Sequence, residues 1–371
     1  MNKKEVTEIK KNFSDDSPFL AMNRAVMTII NDEGEICAQN YFSPATMNDR
    51  ESRIVWETLK KVLNNKVGKN LTQYDFNIAA NQSCEALSKL REFSFDFDTK
   101  IDEFINPFII NYGITQPYAL LLGQFTYSVR RKTKNDEIDE FSEEEYNFVI
   151  GAICPVTISD GGFSFNYKTR EFSTEEDSRL YVSYDPTDGF IYPTFDNRSP
   201  NVSSIMCYSK KGEISYDLVE DVFGLTAGLG YKEQKNTFKA ILKGLFGDDL
   251  SYVTMYAINE KIADYVENSK DCTELAMIGE SDLEEILFAA GVDPDIIDRL
   301  PAIYESLAGE YSFHAVNLLE NKMKVEASGC TISVNTSKAD LLGTAVVDGA
   351  RSIKYKLDEP IIEVNDIAVK L

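Results

Sequence analysis

The sequence predicts an α+β fold: a mixed, mostly antiparallel sheet domain followed by a helical segment and a C-terminal β module. Three observations point there. Up to about residue 210, apolar and alternating runs bounded by turn signals are mixed with a few helical stretches. From Tyr216 onward the pattern becomes helical through four or five successive segments. After Gly309 short strand-like runs return. The expected divisions are 1–212, 213–312 and 313–371, with the last packing on the preceding parts.

In chain order, residues 2–13 read as a short helix, and Arg24–Phe42 as a hairpin turning at NDEG. Asn48 to Asn65 is an amphipathic helix carrying Ile54, Trp56, Leu59 and Val62. Gln82–Phe93 and Phe97–Ile110 are helical. Pro117–Lys132 is a long buried strand with a basic end, and Tyr146–Val156 a second core strand. The acidic run KNDEIDEFSEEEY between them reads as an exposed loop or short helix. SDGG marks a turn, GFSFNYKTREF a hairpin, and Leu180–Tyr208 further strands. The expected helices are then Tyr216–Phe223, Tyr231–Phe246, Tyr252–Asn268, Ser281–Ala290 and Pro294–Leu307. Ser281 with Glu284 fits a capping box and Gly291 a C-terminal stop. The runs KMKVEASG, CTISVNT, GTAVVDG, SIKYKLD and IIEVNDIAV then form a small sheet or extend the first one.

Composition narrows the function. With 371 residues, 43% of them hydrophobic, and with 22 Phe and 19 Tyr, the chain can bury substantial cores. No run reaches the roughly 20 apolar residues that span a bilayer, and MNKKEVTEIKKNF lacks the apolar stretch of a secretory signal. The expected location is therefore the cytoplasm, with no membrane partner. A net charge of −23 keeps the chain soluble and opposes a general nucleic-acid coat, while leaving room for a local basic face.

Candidate chemistry is sparse. Cys37, Cys84, Cys154, Cys207, Cys272 and Cys330 are far apart and read as buried free thiols. His314 is the only histidine, and neither a zinc cluster nor a triad can be assembled around it. GLTAGLG satisfies no phosphate-loop or dinucleotide pattern. The sets Asp96/Asp98/Asp102 and Asp293/Asp295/Asp298 lack EF-hand spacing and read as solvated acidic faces. Asp348-Gly349 reads as a hairpin turn. LEEILFAAGVDPDIIDRLPAIYESL has a helix–turn–helix outline, but its second helix is too acidic to enter a DNA groove. No catalytic residue, metal or cofactor is expected.

The informative local feature is YKEQKNTFKAILKGLF. On a 3.6-residue period Lys232, Lys235, Lys239 and Lys243 share one face, and Tyr231, Phe238, Ile241, Leu242 and Leu245 another. Such a stripe suits a phosphate backbone or an acidic partner. The alternative is a solvated face whose lysines pair with surrounding carboxylates. Arg130, Arg131 and Lys132, followed by Lys134, form a second basic cluster that runs directly into acidic sequence.

The segments MNKKEVTEIKKNF, GKNLTQYDF, ICPV, FDNRSP, YKEQKNTF and VVDG together resemble the bacterial domain-of-unknown-function family 4317, over nearly the whole chain. That resemblance implies a bacterial cytoplasmic protein and no particular activity. FGLTAGLGYKEQKNTF and CTISVNTSKADLLGTAVVDG are also similar to the C-terminal half of the 37-kDa nucleoid-associated protein family, which implies association with the nucleoid. The expected function is therefore non-enzymatic binding of DNA, nucleoid proteins or a related assembly. A protein–protein scaffold without nucleic-acid contact is the alternative, and an enzyme built on scattered carboxylates a third.

Overall fold

The structure, a computed structural model, describes residues 1–64, 66–113, 116–132, 138–159, 162–166, 170–175, 179–196, 199–269, 276–320, 322–327, 329–347, 349–356, 361–364 and 367–370. The fold is α+β. The chain forms two compact units, Met1–Glu233 and Gln234–Leu371, described in turn.

The first unit opens with α1 (Lys3–Asn12), whose Asn2 side chain accepts from the backbone N–H groups of Lys4 and Glu5 while Glu5 reaches back to the Asn2 N–H. This reciprocal cap satisfies donors that a helix start otherwise leaves open. The same device, Asn48 with Glu51, starts α2 (Asp49–Leu63) after the hairpin β1 (Leu20–Ile30) and β2 (Ile36–Phe42). A short strand β3 (Leu71–Asp75) then precedes α3 (Asn81–Phe95) and α4 (Phe97–Asn111). The long strands β4 (Tyr118–Lys132) and β5 (Ile138–Ser159) follow. Next come the hairpin β6 (Gly162–Asn166) and β7 (Glu171–Glu175), and then β8 (Arg179–Val182). The strands end with β9 (Asp188–Tyr192), β10 (Thr194–Asp196), β11 (Ser199–Asn201) and β12 (Ser204–Ser209). A π-helical turn, Asp217–Val222, closes the series.

The main sheet runs β2-β1-β4-β5-β9-β12-β3, with β8 on the far end of β5, and its ladders are antiparallel. Strand alternation feeds two cores. Ala119, Leu121 and Phe125 of β4 join Ile9, Phe13, Trp56, Leu59, Tyr146 and Phe148 on the α1/α2 side. Tyr118, Leu120 and Leu122 join Phe93, Phe104, Phe108, Phe190 and Phe223 on the α3/α4 side. Buried on both faces, β4 reads as a continuous apolar run. Gly151 fits the second core closely: a Cβ there would stand 2.1 Å from the Phe190 ring.

Two expectations need correction here. The acidic run is no loop from Ile138 onward: it is the first third of β5, because β4 supplies a ladder partner that local polarity does not reveal. The edge strand β3, paired to β12, was not expected at all. Asn65, residues 133–137, and Asp160 and Gly161 of the SDGG turn lie outside the described residues.

The second unit is led by α5 (Tyr231–Phe246), which begins just inside the first, and α6 (Tyr252–Asn268). Strand β13 (Met277–Ile278) precedes α7 (Glu280–Ala289), α8 (Pro294–Ile297) and α9 (Leu300–Ala308), and β14 (Phe313–His314) pairs back to β13 before α10 (Ala315–Leu318). Asp282, not Ser281, caps α7, accepting from the Gly279 N–H at 2.9 Å. The single helix expected over Pro294–Leu307 is two, because Pro301 cannot donate a backbone hydrogen bond in mid-helix. The C-terminal strands form three separate hairpins, β15 (Lys322–Ala327) with β16 (Cys330–Asn335), β17 (Leu342–Val347) with β18 (Ala350–Tyr355), and β19 (Ile361–Val364) with β20 (Ile367–Lys370). Among the described residues they neither merge into one sheet nor extend the first.

Candidate functional site

Helix α5 carries the predicted lysine face. Glu233 accepts from the Gly230 N–H at 2.8 Å and so caps its start, and Lys243 lies in its last turn, where a cation favours the helix dipole. Phe238, Ile241, Leu242 and Leu245 are buried, while Lys232, Lys239 and Lys243 are exposed and Lys235 is half-buried.

Among the described residues, three of the four lysines have carboxylate partners. Within the first unit Lys232 pairs with Glu213, whose carboxyl is held below its ordinary value by that hydrogen bond and charge. Within the second, Lys235 Nζ donates to Glu320 Oε1 at 3.0 Å, and Lys239 Nζ lies 3.9 Å from the same oxygen. The Lys239 side chain nevertheless stays 63% exposed.

Glu320 is placed by buried amides. Its N–H donates to Asn259 Oδ1 at 3.0 Å, and Asn259 Nδ2 donates to its carbonyl at 3.4 Å. Deeper still, Gln234 Oε1 accepts from the His314 N–H (2.9 Å) and Asn317 Nδ2 (3.1 Å). Buried polar groups joined this way fix a geometry that apolar packing leaves loose. Glu213 and Glu320 were invisible as partners from the sequence, being 19 and 85 residues from the lysines they meet.

Arg130, Arg131 and Lys132 end β4, where the register sets Arg130 opposite Glu143 and Lys132 opposite Ile138; their side chains, like Lys134, lie outside the described residues.

Of the remaining candidates, the aspartates Asp96, Asp98 and Asp293 take structural roles as helix caps or ion-pair partners. Burial lowers the His314 pKa, and its Nδ1 is buried without a hydrogen-bond partner among the described residues. Cys154 and Cys207 are buried thiols, the first pushed up to about 12, but Cys37, Cys84 and Cys330 are exposed, contrary to the expectation of burial; Cys272 lies outside the described residues. Three of them belong to polar or surface-turned segments whose facing side composition does not reveal. Asp96 caps α4 and Asp293 caps α8 through backbone N–H groups, while Asp98 pairs with Arg24. No group of carboxylate, Cys or His side chains that could hold a metal ion occurs among the described residues. Gly349 has a φ of +78° in the β17–β18 turn; Asp348 is outside the described residues. No helix among those described is long and apolar enough to cross a membrane.

A family model described as a domain of unknown function (DUF4317) matches residues 1–367, and the chain belongs to that family. No curated protein and no solved structure matches it.

Proposed function

We propose that this DUF4317 chain is a non-catalytic macromolecule-binding protein that meets an acidic polymer, nucleic acid on the nucleoid, through the outer face of α5. The supporting observation is that Lys239 and Lys243 project from a helix anchored by its opposite, apolar face, with Lys235 beside them. Lys239 and Lys235 share the half-buried Glu320; a pair with an exposed member is worth about 0–1 kcal/mol, so a phosphate can compete for the exposed Lys239 at little cost. The short motifs similar to the 37-kDa nucleoid-associated family include this same helix.

The test is fluorescence anisotropy of a labelled duplex at low and moderate salt. Contact with two to four phosphates gives a log–log salt slope of roughly −2 to −4. Lys239→Glu with Lys243→Glu is expected to abolish the signal. Binding unchanged in that variant rules out this face.

A second reading, a protein scaffold without nucleic-acid contact, is favoured by Glu320: one protein carboxylate already engages two of these ammonium groups. The charge of −23 also repels DNA at long range. A partner retained on the protein after nuclease treatment, and lost in the same double variant, supports this reading over the first.

A further inference from the structure

The first unit contains a cleft that plays no part in the lysine face. It has a volume of about 240 Å3 and lies where α4 ends, beside the starts of β4 and of the π-helical turn. Tyr112, Tyr118, Ile153 and Pro155 supply aromatic and apolar walls, and the charged group among its described lining residues is Asp217. Single π-helical turns are rare and recur at functional sites, and Asp217 is the first residue of this one.

Several features hold Asp217 at the cleft. Gly113 lies against it: a Cβ at that position would stand 3.3 Å from Asp217 Oδ2, so glycine admits the carboxylate to the backbone, whose N–H supports it. Burial, reinforced by the neighbouring Asp221, raises the Asp217 carboxyl above its ordinary value. Tyr112 links the cleft to a second carboxylate, donating its hydroxyl to Asp188 Oδ2 at 2.8 Å. Asp188 is raised mainly by burial, and the hydroxyls of Thr187, Ser209 and Ser215 hydrogen-bond to it as well. The described groups acting on these two aspartates are thus hydroxyls, backbone N–H groups and another carboxylate. The aromatic pair Tyr112 and Tyr118, with ring centroids 5.5 Å apart and planes inclined at 55°, lines the cleft beside this carboxylate.

We propose that this cleft binds a small organic ammonium ion, its charged head at the Asp217 carboxylate beside Tyr112 and Tyr118 and its short apolar tail against Ile153 and Pro155. A cation over tyrosine faces gains further attraction in a poorly solvated site. Among the described lining residues the charge that an anion would meet is the Asp217 carboxylate. A metal ion needs several converging oxygen ligands, which the described residues do not provide. The volume is below the 300–1,000 Å3 that suits drug-sized ligands, so the guest has few heavy atoms.

The experiment is calorimetric titration of the full chain with n-butylammonium in phosphate buffer, with n-butanol and butyrate as neutral and anionic isosteres. Saturable millimolar binding of the ammonium alone is expected, weakened at least tenfold in Asp217→Asn and unchanged in Asp298→Asn. Amide shift mapping of the native chain is expected to place the guest at Gly113 and Thr187, a readout that stands even where Asp217→Asn folds poorly. Butanol binding as tightly as butylammonium, shifts located elsewhere, or no saturation with any probe overturns the proposal. None of these outcomes bears on α5, which this experiment leaves untouched.

Discussion

Strand β4 and the hairpin β17–β18 both pair antiparallel, yet they meet opposite environments. Ala119, Leu120, Leu121 and Leu122 are wholly buried, whereas Val346 is 72% exposed and Val347, Ile353 and Tyr355 are exposed too. The difference lies in what covers each strand. Helices α1 and α2 close one face of β4, and α3 and α4 the other. Among the described residues β17 and β18 pair only with each other. A two-stranded ribbon has little core of its own. Strand propensity therefore says that a segment extends, and the neighbouring elements decide whether its apolar side chains stabilise anything.

The largest expected effect follows directly. Phe190 is fully buried among Phe104, Phe108 and Phe223, with centroid separations of 5.2–6.1 Å. Phe190→Ala is expected to cost about 3–5 kcal/mol in urea unfolding, since the cavity cannot collapse against a sheet. Val346→Ala, an equally apolar truncation, is expected to change stability by less than about 0.5 kcal/mol. Comparable losses at the two positions would mean that the hairpin is covered in solution and would break the contrast.

That contrast also explains what was legible in the sequence. Helices with their own period, such as Tyr231–Phe246 and Tyr252–Asn268, have the bounds their apolar spacing sets. The α+β class and the C-terminal strand runs were visible for the same reason, being local patterns, whereas the arrangement of those strands as three separate hairpins was not. Features that depend on distant partners were not. The acidic start of β5 is a strand because β4 pairs with it, and Leu71–Asp75 because β12 does. At the candidate site the lysine stripe could be read from helical spacing, but Glu213 and Glu320 reach it only through the fold. The cleft at Tyr112 had no sequence signal, since its walls come from four separated segments.

A pH experiment sharpens the comparison from the polar side. Asp188 is a carboxyl in the wall of an otherwise aromatic core, raised by its burial. Because the folded state holds the proton more tightly than the unfolded chain, its contribution is fully present below the ordinary aspartate pKa and is lost as pH rises through the elevated one. Asp188→Asn keeps an oxygen for the Tyr112 hydroxyl and carries no charge at any pH. It is expected to be more stable than the native chain at pH 7, with the advantage vanishing in acid below the ordinary aspartate range. Urea unfolding at the two pH values, in phosphate rather than an amine buffer, measures this. A difference independent of pH would assign the effect to packing instead.

A small expected effect on stability is the most telling for the lysine face. Glu320→Gln removes the charge that Lys235 and Lys239 share but preserves the backbone hydrogen bonds to Asn259. The loss in stability is expected to be about 1 kcal/mol or less, as for other partly exposed pairs. Its effect on binding differs sharply between the two readings of α5. If phosphates compete with Glu320 for these ammonium groups, freeing them strengthens duplex binding and makes the salt slope steeper by roughly one to two. If the face serves a protein partner and DNA never engages it, anisotropy stays flat in both forms while the stability change remains. Weaker duplex binding on freeing the lysines would contradict the exchange of carboxylate for phosphate on which the nucleic-acid reading depends.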